Sequence, residues 1–594
     1  MLYQADFFER NNGLLSLICQ VTIISINCAT FAQSLPQSPQ PDFPNTPLLP
    51  SDTPLQFPPV TVPAVTPLPG SLQVTGIEFI GNTVFSQEQL GKIAVLSPEI
   101  GISSIDNQNL EFSELLQIAT KVAEYYHKEG YTTSGAVVVI PKATREKGVG
   151  MIQIRVIEGI LTEIQVNIQD ENVIDTRFHD YVRRRLKVVE NQPLNVNTLL
   201  EALQLLQLDP LIKQISATLS SGTQPESSRL IVTYQPNNPL SFPVILDNGR
   251  SPSVGSFERG FSVKYDNLLG FGDKILLGYI NTDGSDRPSF RYEIPFNADN
   301  GTIRLDYSYN NSAIIEAPFD DVNQDGISGD IKSRYEAYDF TIRQPLIRSI
   351  QNQTLTEFGI SLNVSWRNTQ SFLFDQPFPF SLSADVLGNT RLFALRLSQD
   401  YSRQNATEIY AFNSQISLGL GVFGSTISPQ ISGIDIPDSQ FIAWRGQGQY
   451  IRVLAPNTLW LVRSNLQVAD RPLLPIEQFS IGGLGSVRGY RQDQLLTDNG
   501  FFASTEVRFP ILTFPVLEKE SILQVIPFID YGLGWNTSLP SPNPNSLVSV
   551  GLGILWQWGN FNARLDWGIP LTDFPRNQNS WNENGLYFTI QYGL

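Results

Sequence analysis

From Phe242 onward the chain alternates, residue by residue, between two kinds of side chain. Val548, Val550, Leu552, Ile554, Trp556 and Trp558 stand against Ser549, Gly551, Gly553, Leu555 and Gln557. Phe561, Ala563, Leu565, Trp567 and Ile569 stand against Asn562, Arg564, Asp566 and Gly568, and Phe501, Ala503, Thr505, Val507 and Phe509 against Phe502, Ser504, Glu506 and Arg508. A period of two places each set on one face of a pleated strand. A soluble sandwich also alternates, but its outward face is polar and its strands are shorter. Here the apolar face is continuous and ends in aromatic residues, while charges such as Arg463 and Arg564 fall on the other. The pattern predicts a transmembrane β-barrel, with outer-membrane lipid against one face and a polar lumen against the other.

About sixteen such segments are found, near 242–249, 257–268, 273–283, 288–296, 302–312, 335–347, 354–373, 390–404, 406–421, 441–455, 458–470, 501–512, 521–536, 546–558, 560–571 and 586–594. An even number lets the last strand close on the first and leaves no unpaired edge. Leu586, Phe588, Ile590, Tyr592 and Leu594 of that last strand are expected to face lipid, which also suits a chain end read by an outer-membrane assembly machinery. Connectors alternate between short, as at Ala455-Pro456-Asn457 and Gly559, and long. The short turns are placed on the periplasmic side and the long loops outside.

No apolar run reaches the ~20 residues of a membrane helix. The nearest, Gly13 to Ile26, is followed by Cys28-Ala29-Thr30-Phe31-Ala32, and residues 1–32 read as a secretory signal peptide. Residues 33–70 are a linker with proline at every few positions, which favours extended polyproline conformations and excludes a helix or a sheet ladder. Residues 71–158 then read β-α-α-β-β, with a helix from Gln87 to Leu96 and another from Ser113 to Lys128 carrying Leu116, Ile118, Ala119, Val122, Ala123 and Tyr126 on one face. Residues 159–236 repeat the order at a spacing of about 85 residues, which marks a small modular array. Residues 237–594 are the barrel.

Charge and composition narrow the chemistry. Asp and Glu number 57 against 40 Lys and Arg, which argues against nucleic acid as a partner, since phosphate binding needs clustered Lys and Arg. The basic run Arg183-Arg184-Arg185-Leu186-Lys187 is read as the solvated face of a helix. The two cysteines, Cys19 and Cys28, both precede the expected mature start, which removes a cysteine nucleophile. The two histidines, His127 and His179, lie in separate helical segments and are read as solvent-facing, without a zinc site or triad. No Gly-rich loop ending in Lys-Ser or Lys-Thr occurs, and neither an enzymatic site nor a cofactor is implied.

Within the barrel one stretch breaks the alternation. Gly482-Gly483-Leu484-Gly485-Ser486-Val487-Arg488-Gly489-Tyr490 has no apolar period, and it lies in a segment, 471–500, between the eleventh and twelfth strands. Further on, Phe528, Asp530, Gly532 and Gly534 form the small, lumen-facing side of a strand whose other side is Ile529, Tyr531, Leu533 and Trp535. Arg488 is free to fold inward and meet Asp530 as a plug with an ionic latch. A guanidinium–carboxylate pair is bidentate and directional. Fully buried, loss of one partner costs about 3–5 kcal/mol; in a wet lumen the pair is nearer ~1 kcal/mol.

Several of these stretches together resemble the two-partner-secretion transporters of the Omp85 superfamily, of the hemolysin secretion/activation type. The repeated β-α-α-β-β units are similar to paired POTRA domains. Asp247-Asn248-Gly249 and Asp266-Asn267, followed by Gly270-Phe271-Gly272-Asp273, are similar to the family's barrel opening. Val487-Arg488-Gly489-Tyr490 matches the superfamily's loop motif, and Phe528, Asp530 and Gly532 its partner on the inner wall. The resemblance implies secretion, and activation in some members, of one large partner exoprotein. POTRA domains in the periplasm capture its unfolded N-terminal secretion domain, and the barrel conducts it outward. One departure is that residues 33–70 are too proline-rich to supply the plug helix some members carry. An Omp85-type assembly factor for other outer-membrane proteins is the alternative, and a passive porin a more distant one. Asp321, Asn323 and Asp325, with Gly326, resemble the start of a calcium loop, but Lys332 stands at the twelfth position where a bidentate Glu is expected. A solvated external loop is the simpler reading, and no metal is assigned.

Overall fold

The computed structural model describes residues 55–56, 71–95, 107–169, 177–224, 226–429, 435–517, 519–574 and 580–593. The expected signal segment, 1–32, and nearly all of the proline-rich segment lie outside them. The described chain divides into two compact units, taken in turn.

The first unit opens with β1 (Leu55–Gln56), then β2 (Ser71–Ile80), α1 (Gln87–Val95), β3 (Gln108–Glu111), α2 (Phe112–Lys128), β4 (Gly135–Val139), α3 (Lys142–Lys147) and β5 (Val149–Ile157). A second set follows: β6 (Ile160–Ile168), α4 (Arg177–Leu186), α5 (Val196–Gln207), β7 (Ile212–Ser221) and β8 (Ser227–Pro236). The β-α-α-β-β order holds in both, and the first set adds β3 and α3. β3 escapes sequence reading because four residues with only Leu110 buried carry no period.

α2 forms because Leu115, Ile118, Ala119, Val122 and Tyr126 recur at helical spacing and close on Val74, Phe79, Ile152 and Ile154 of the sheet. Its buried face centres on Leu115, one position from the Leu116 read in sequence. Glu111 and Glu114 make a reciprocal capping box at its start, and Gly130, at φ +96°, supplies the left-handed residue just past its end. α5 is capped by Asn195, whose side chain accepts from Asn197 N at 2.9 Å, and it buries Leu199, Leu203 and Leu206. Each fully buried leucine contributes about 1.5–3 kcal/mol. The sheets run β3-β2-β5-β4 and β1-β7-β8-β6, with β2 parallel to β5 and β6 parallel to β8. Contrary to the expectation that the proline-rich segment forms no sheet ladder, its Leu55 and Gln56, which keep their N–H groups between Pro54 and Pro58, form β1, parallel against the edge of β7 with Leu55 opposite Ala217.

Only Glu158 and Gly159 join the two sets. The Glu158 carboxylate accepts Thr83 N at 2.8 Å, Val84 N at 2.9 Å and the Tyr126 hydroxyl at 2.8 Å, and it also bonds the Thr83 hydroxyl. Gly159 must be glycine for space: a Cβ there would sit 2.5 Å from Thr133 Oγ1.

The second unit is the barrel. Its strands are β9 (Leu240–Ser241), β10 (Pro243–Asp247), β11 (Glu258–Asp266), β12 (Lys274–Thr282), β13 (Ser285–Pro295), β14 (Thr302–Ala313), β15 (Ile331–Gln351) and β16 (Thr354–Leu373). Next come β17 (Gln376–Pro377), β18 (Asn389–Gln404), β19 (Glu408–Leu420), β20 (Ile442–Ala455), β21 (Thr458–Ala469), β22 (Phe479–Ile481) and β23 (Leu495–Thr497). The last are β24 (Asn499–Val516), β25 (Lys519–Trp535), β26 (Ser546–Trp558), β27 (Phe561–Pro570) and β28 (Leu586–Gly593). β9 and β17 are two-residue pieces, and β22 pairs with β23 as a separate hairpin. The other 16 form a closed antiparallel barrel.

Closure is made by β10 against β28, from Pro243 opposite Gly593 to Asp247 opposite Thr589. Beyond the last main-chain pair, Asn248 continues the seam with its side chain, donating to Leu586 O at 2.9 Å and accepting from Phe588 N at 2.8 Å. The two faces sort as the alternation requires. Ile529 is 53% exposed on the lipid side, and Asp530 beside it is 0% exposed on the lumen side. β15 and β16, 21 and 20 residues long, exceed the ~9–11 residues that cross a bilayer. Lys332, Ser333 and Arg334 at the outer end of β15 break the apolar alternation, which is why sequence reading starts that strand at 335.

Candidate functional site

The segment from Asp470 to Asp498 leaves the barrel wall after β21 and folds into the lumen rather than away from it. Leu473, Leu474, Ile476, Phe479, Ile481, Val487, Tyr490 and Leu495 are all buried, which an exposed loop of this composition is not. The β22–β23 hairpin carries the tip, and Gly482 (φ +113°), Gly483 (φ +94°) and Gly489 (φ +98°) supply backbone conformations that side-chain-bearing residues resist.

Arg488, 1% exposed, is the centre of the tip. Its Nε donates to Asp530 Oδ2 at 2.8 Å and its Nη2 to Asp530 Oδ1 at 2.8 Å, a bidentate pair. The Arg488 backbone N–H adds a third bond to Asp530 Oδ2 at 3.1 Å. Its Nη1 reaches Glu506 Oε2 at 3.2 Å and Asp566 Oδ1 at 3.5 Å, and Nη2 reaches Ser504 Oγ at 3.4 Å. The guanidinium lies 3.4 Å over the centroid of the Phe528 ring, a cation–π contact strengthened by desolvation. Arg508 and Arg564 lie on the far side of Glu506 at 2.7 and 2.9 Å, and Arg564 also holds Asp566 at 2.7 Å. Three guanidinium groups therefore interleave with three carboxylates, and a polar cavity of about 300 Å³ opens beside them.

The neighbours of Arg488 fix the backbone of the tip. Gly489 N donates to the Tyr587 hydroxyl at 3.0 Å, and that hydroxyl donates to Tyr490 O at 2.5 Å. The Tyr490 hydroxyl donates to Val548 O at 2.7 Å and accepts from Thr572 N at 2.8 Å. Val487 packs with Ile481, Phe479 and Leu547. Gly532 is what allows this approach: a Cβ there would lie 2.3 Å from Ile481 Cγ2 and 2.8 Å from Val487 Cγ2. Gly568 serves Gly489 in the same way, since its Cβ would fall 2.5 Å from Gly489 N.

All seven residues expected at the site, Val487, Arg488, Gly489, Tyr490, Phe528, Asp530 and Gly532, thus come together in one place. The environment differs from a wet lumen, because the tip buries the pair. Loss of one partner therefore belongs with buried ion pairs, at about 3–5 kcal/mol. Sequence reading put Glu506, Asp566, Arg508 and Arg564 on the lumen face but did not gather them. They lie on β24 and β27, and the stagger between strands is not written in any one of them. Tyr587 was missed for the same reason, although its place opposite the lipid-facing Leu586 and Phe588 was a signal.

The calcium-loop candidate lies elsewhere. The Asp321 carboxylate accepts Asp325 N at 3.0 Å and Gly326 N at 2.8 Å, and Asp325 accepts Ile327 N at 2.8 Å and Asn323 Nδ2 at 3.0 Å. These oxygens cap their own turn, and Lys332 pairs with Asp375 at 2.6 Å. Among the described residues no group of three or more His, Cys, Asp or Glu is placed to hold a metal ion. His127 is an exposed helix residue as expected, whereas His179 is half-buried, edge-on to Tyr234 at 5.8 Å between ring centroids.

Known proteins resemble the chain over most of its length. The family model for the haemolysin secretion/activation protein ShlB/FhaC/HecB matches residues 226–555, and the model for the ShlB-type POTRA domain matches residues 72–159. The outer membrane transporter CdiB of Dickeya dadantii (strain 3937) is 23% identical over 465 residues, covering 78% of this chain and 77% of its own length. The heme/hemopexin transporter protein HuxB of Haemophilus influenzae (strain 86-028NP) is 21% identical over 472 residues, 75% of each chain. The solved structure of CdiB from Escherichia coli aligns with a TM-score of 0.64 at 19% identity, covering 90% of this chain and 93% of that one, and so shares the fold.

Proposed function

The chain belongs to the haemolysin secretion/activation family of ShlB, FhaC and HecB, and from that premise we propose that it exports one large exoprotein across the outer membrane. Its POTRA modules stand in the periplasm and its barrel spans the outer membrane. The barrel conducts the unfolded substrate outward, and the tip that carries Arg488 is the element that governs passage. The observation that carries this reading is the buried bidentate pair between Arg488 and Asp530. Paired periplasmic modules are superfluous in a passive porin, and the modules together with the inward loop favour a conduit for a protein. An ion pair embedded in a network, rather than a covalent bond, holds the loop in a transport-competent position and still lets it move.

Capture of the substrate proceeds by strand addition, in which an extended chain pairs with an exposed sheet edge through its backbone and largely regardless of side chains. β4 is the edge of the first module's sheet and β6 the edge of the second. Proline at a β4 position whose N–H points away from β5 removes a donor from that edge and weakens binding of the exoprotein's secretion domain; unchanged affinity by calorimetry counts against this edge. The barrel's own insertion rests on an assembly machinery that reads its terminal strand. The reading is of a conduit and not an enzyme: the work is binding, positioning and release.

Deleting the gene and comparing the proteins released to the medium is the decisive test. One large exoprotein disappears from the medium if the reading is right. An unaltered set of released proteins, with a general loss of other outer-membrane barrels, would instead identify an assembly factor.

A further inference from the structure

The tip is not the only place where the inward loop meets the wall. Its root forms a 3-10 turn, Pro475–Glu477, and Glu477 is 7% exposed. Glu477 Oε1 accepts Arg367 Nη1 at 2.8 Å and Arg396 Nη2 at 2.8 Å, and Oε2 accepts Arg396 Nη1 at 3.1 Å. Gln467 Nε2 donates to the Glu477 carbonyl at 2.9 Å, while Gln467 Oε1 accepts Arg445 Nε at 2.9 Å. Beside this, Leu473, Leu474 and Ile476 pack on Leu392, Ala394, Phe441 and Ala443.

The two meeting points lie on different walls. Arg367 and Arg396 come from β16 and β18, the seventh and eighth barrel strands in order. The partners of Arg488 come from β24, β25 and β27, the twelfth, thirteenth and fifteenth. Around a circuit of 16 strands these are far apart, so the loop is a bar across the lumen, fastened at both ends. The signs are also opposite: the tip offers a cation to carboxylates, and the root offers a carboxylate to cations.

We propose that Glu477 is a second anchor of the loop, a positioning residue that holds the root against Arg367 and Arg396 and so keeps the pore closed. This rests on the reading of the loop as the element that governs passage. The charge balance explains why one carboxylate matters. Among the described residues, the carboxylates that face Arg367, Arg396 and Arg445 are Glu477 and Asp339, the latter 4.0 Å from Arg367. The Nε atoms of Arg367 and Arg396 have no hydrogen-bond partner among the described residues. Without the Glu477 carboxylate, the buried Arg367 and Arg396 and the half-buried Arg445 face one anion, and their repulsion and desolvation are relieved when water replaces the root.

The test is the conductance of the purified full-length protein in planar lipid bilayers. Glu477→Lys raises it several-fold, and Arg367→Gln/Arg396→Gln, which strips the receptor and leaves the loop untouched, does the same. Glu477→Asp keeps the charge and restores most of the wild-type conductance, a rescue that a merely space-filling role would not give. Heat-modifiable migration in detergent confirms that each barrel has assembled, and the wall variant answers the question if Glu477→Lys does not assemble. Unchanged conductance in both, alongside a rise in Arg488→Ala, overturns the second anchor and leaves the tip standing. Unchanged conductance in Arg488→Ala as well overturns the loop reading itself.

Discussion

Arg488 in the barrel and Glu158 in the first module are both buried charges that pin a turn, and they are satisfied in opposite ways. Arg488 is neutralised by other charges: Asp530 directly, Glu506 and Asp566 behind it. Glu158 is held by neutral donors, two backbone N–H groups and two hydroxyls. A charge balanced by opposite charge depends on every member of its network, because removal of one leaves another stranded in low dielectric. A charge held by neutral donors strands nothing charged when it is lost, and it is switched instead by protonation. The barrel contact is thus built to be broken by displacement, and the module contact is built to stay.

The largest effect that sharpens this contrast is expected from Asp530→Ala. It leaves Arg488 with only its longer contacts and destabilises the tip by about 3–5 kcal/mol. Protease cleavage within 471–500 in detergent-solubilised protein reports it, and a loop as resistant as wild type would place the two charges in the same class. Next is Gly532→Ala, whose Cβ collides with Ile481 and Val487 at a cost of about 1–3 kcal/mol. The same cleavage assay reads it, and this loss comes with every charge intact.

Glu158→Gln is expected to cost about 1–3 kcal/mol in the first module, seen as faster hydrogen exchange at Thr83 and Val84. Burial pushes the Glu158 carboxyl up, but the hydrogen bonds from the Thr83 side chain, Val84 N–H and Tyr126 outweigh it and hold the group below the usual glutamate range. A depressed folded-state pKa gives stability that is present above the unfolded value and lost as pH falls through the folded one. Exchange at Thr83 and Val84 therefore accelerates as pH falls below about 4.3, after correction for intrinsic rates. Glu158→Gln abolishes that dependence. The smallest effect belongs to Glu88→Gln, which removes the exposed pair with Lys92 at 2.7 Å and changes stability by no more than about 0.5 kcal/mol. A larger loss there would mean that burial is not what separates strong contacts from weak ones in this chain.

The barrel was legible because lipid and lumen impose opposite demands on neighbouring residues. Ile529, Asp530 and Tyr531 declare their faces without any knowledge of the strands beside them. The Arg488–Asp530 pair was legible because a glycine-rich break in the alternation precedes a lone carboxylate on a small-residue face. What surrounds it depends on register. Glu506 is opposite Phe528 on β25, and Asp566 is opposite Gly553 on β26; neither neighbour advertises the other. Glu477 was hidden for a further reason, because a carboxylate after a proline in a loop looks solvated until the arginines of two distant strands are brought to it. β3 was hidden by its length and α3 by its charge, since Lys142–Lys147 has only Thr144 buried and shows no apolar stripe.

Export by an Arg488→Ala barrel tests the role of the tip most directly. The partner exoprotein is measured in the medium, with surface exposure and heat-modifiable migration confirming that the variant barrel is in the outer membrane. The latch predicts a fall of at least about ten-fold, the equivalent of ~1.4 kcal/mol and well inside the cost of breaking the buried pair. Wild-type release from a correctly assembled Arg488→Ala barrel would contradict it.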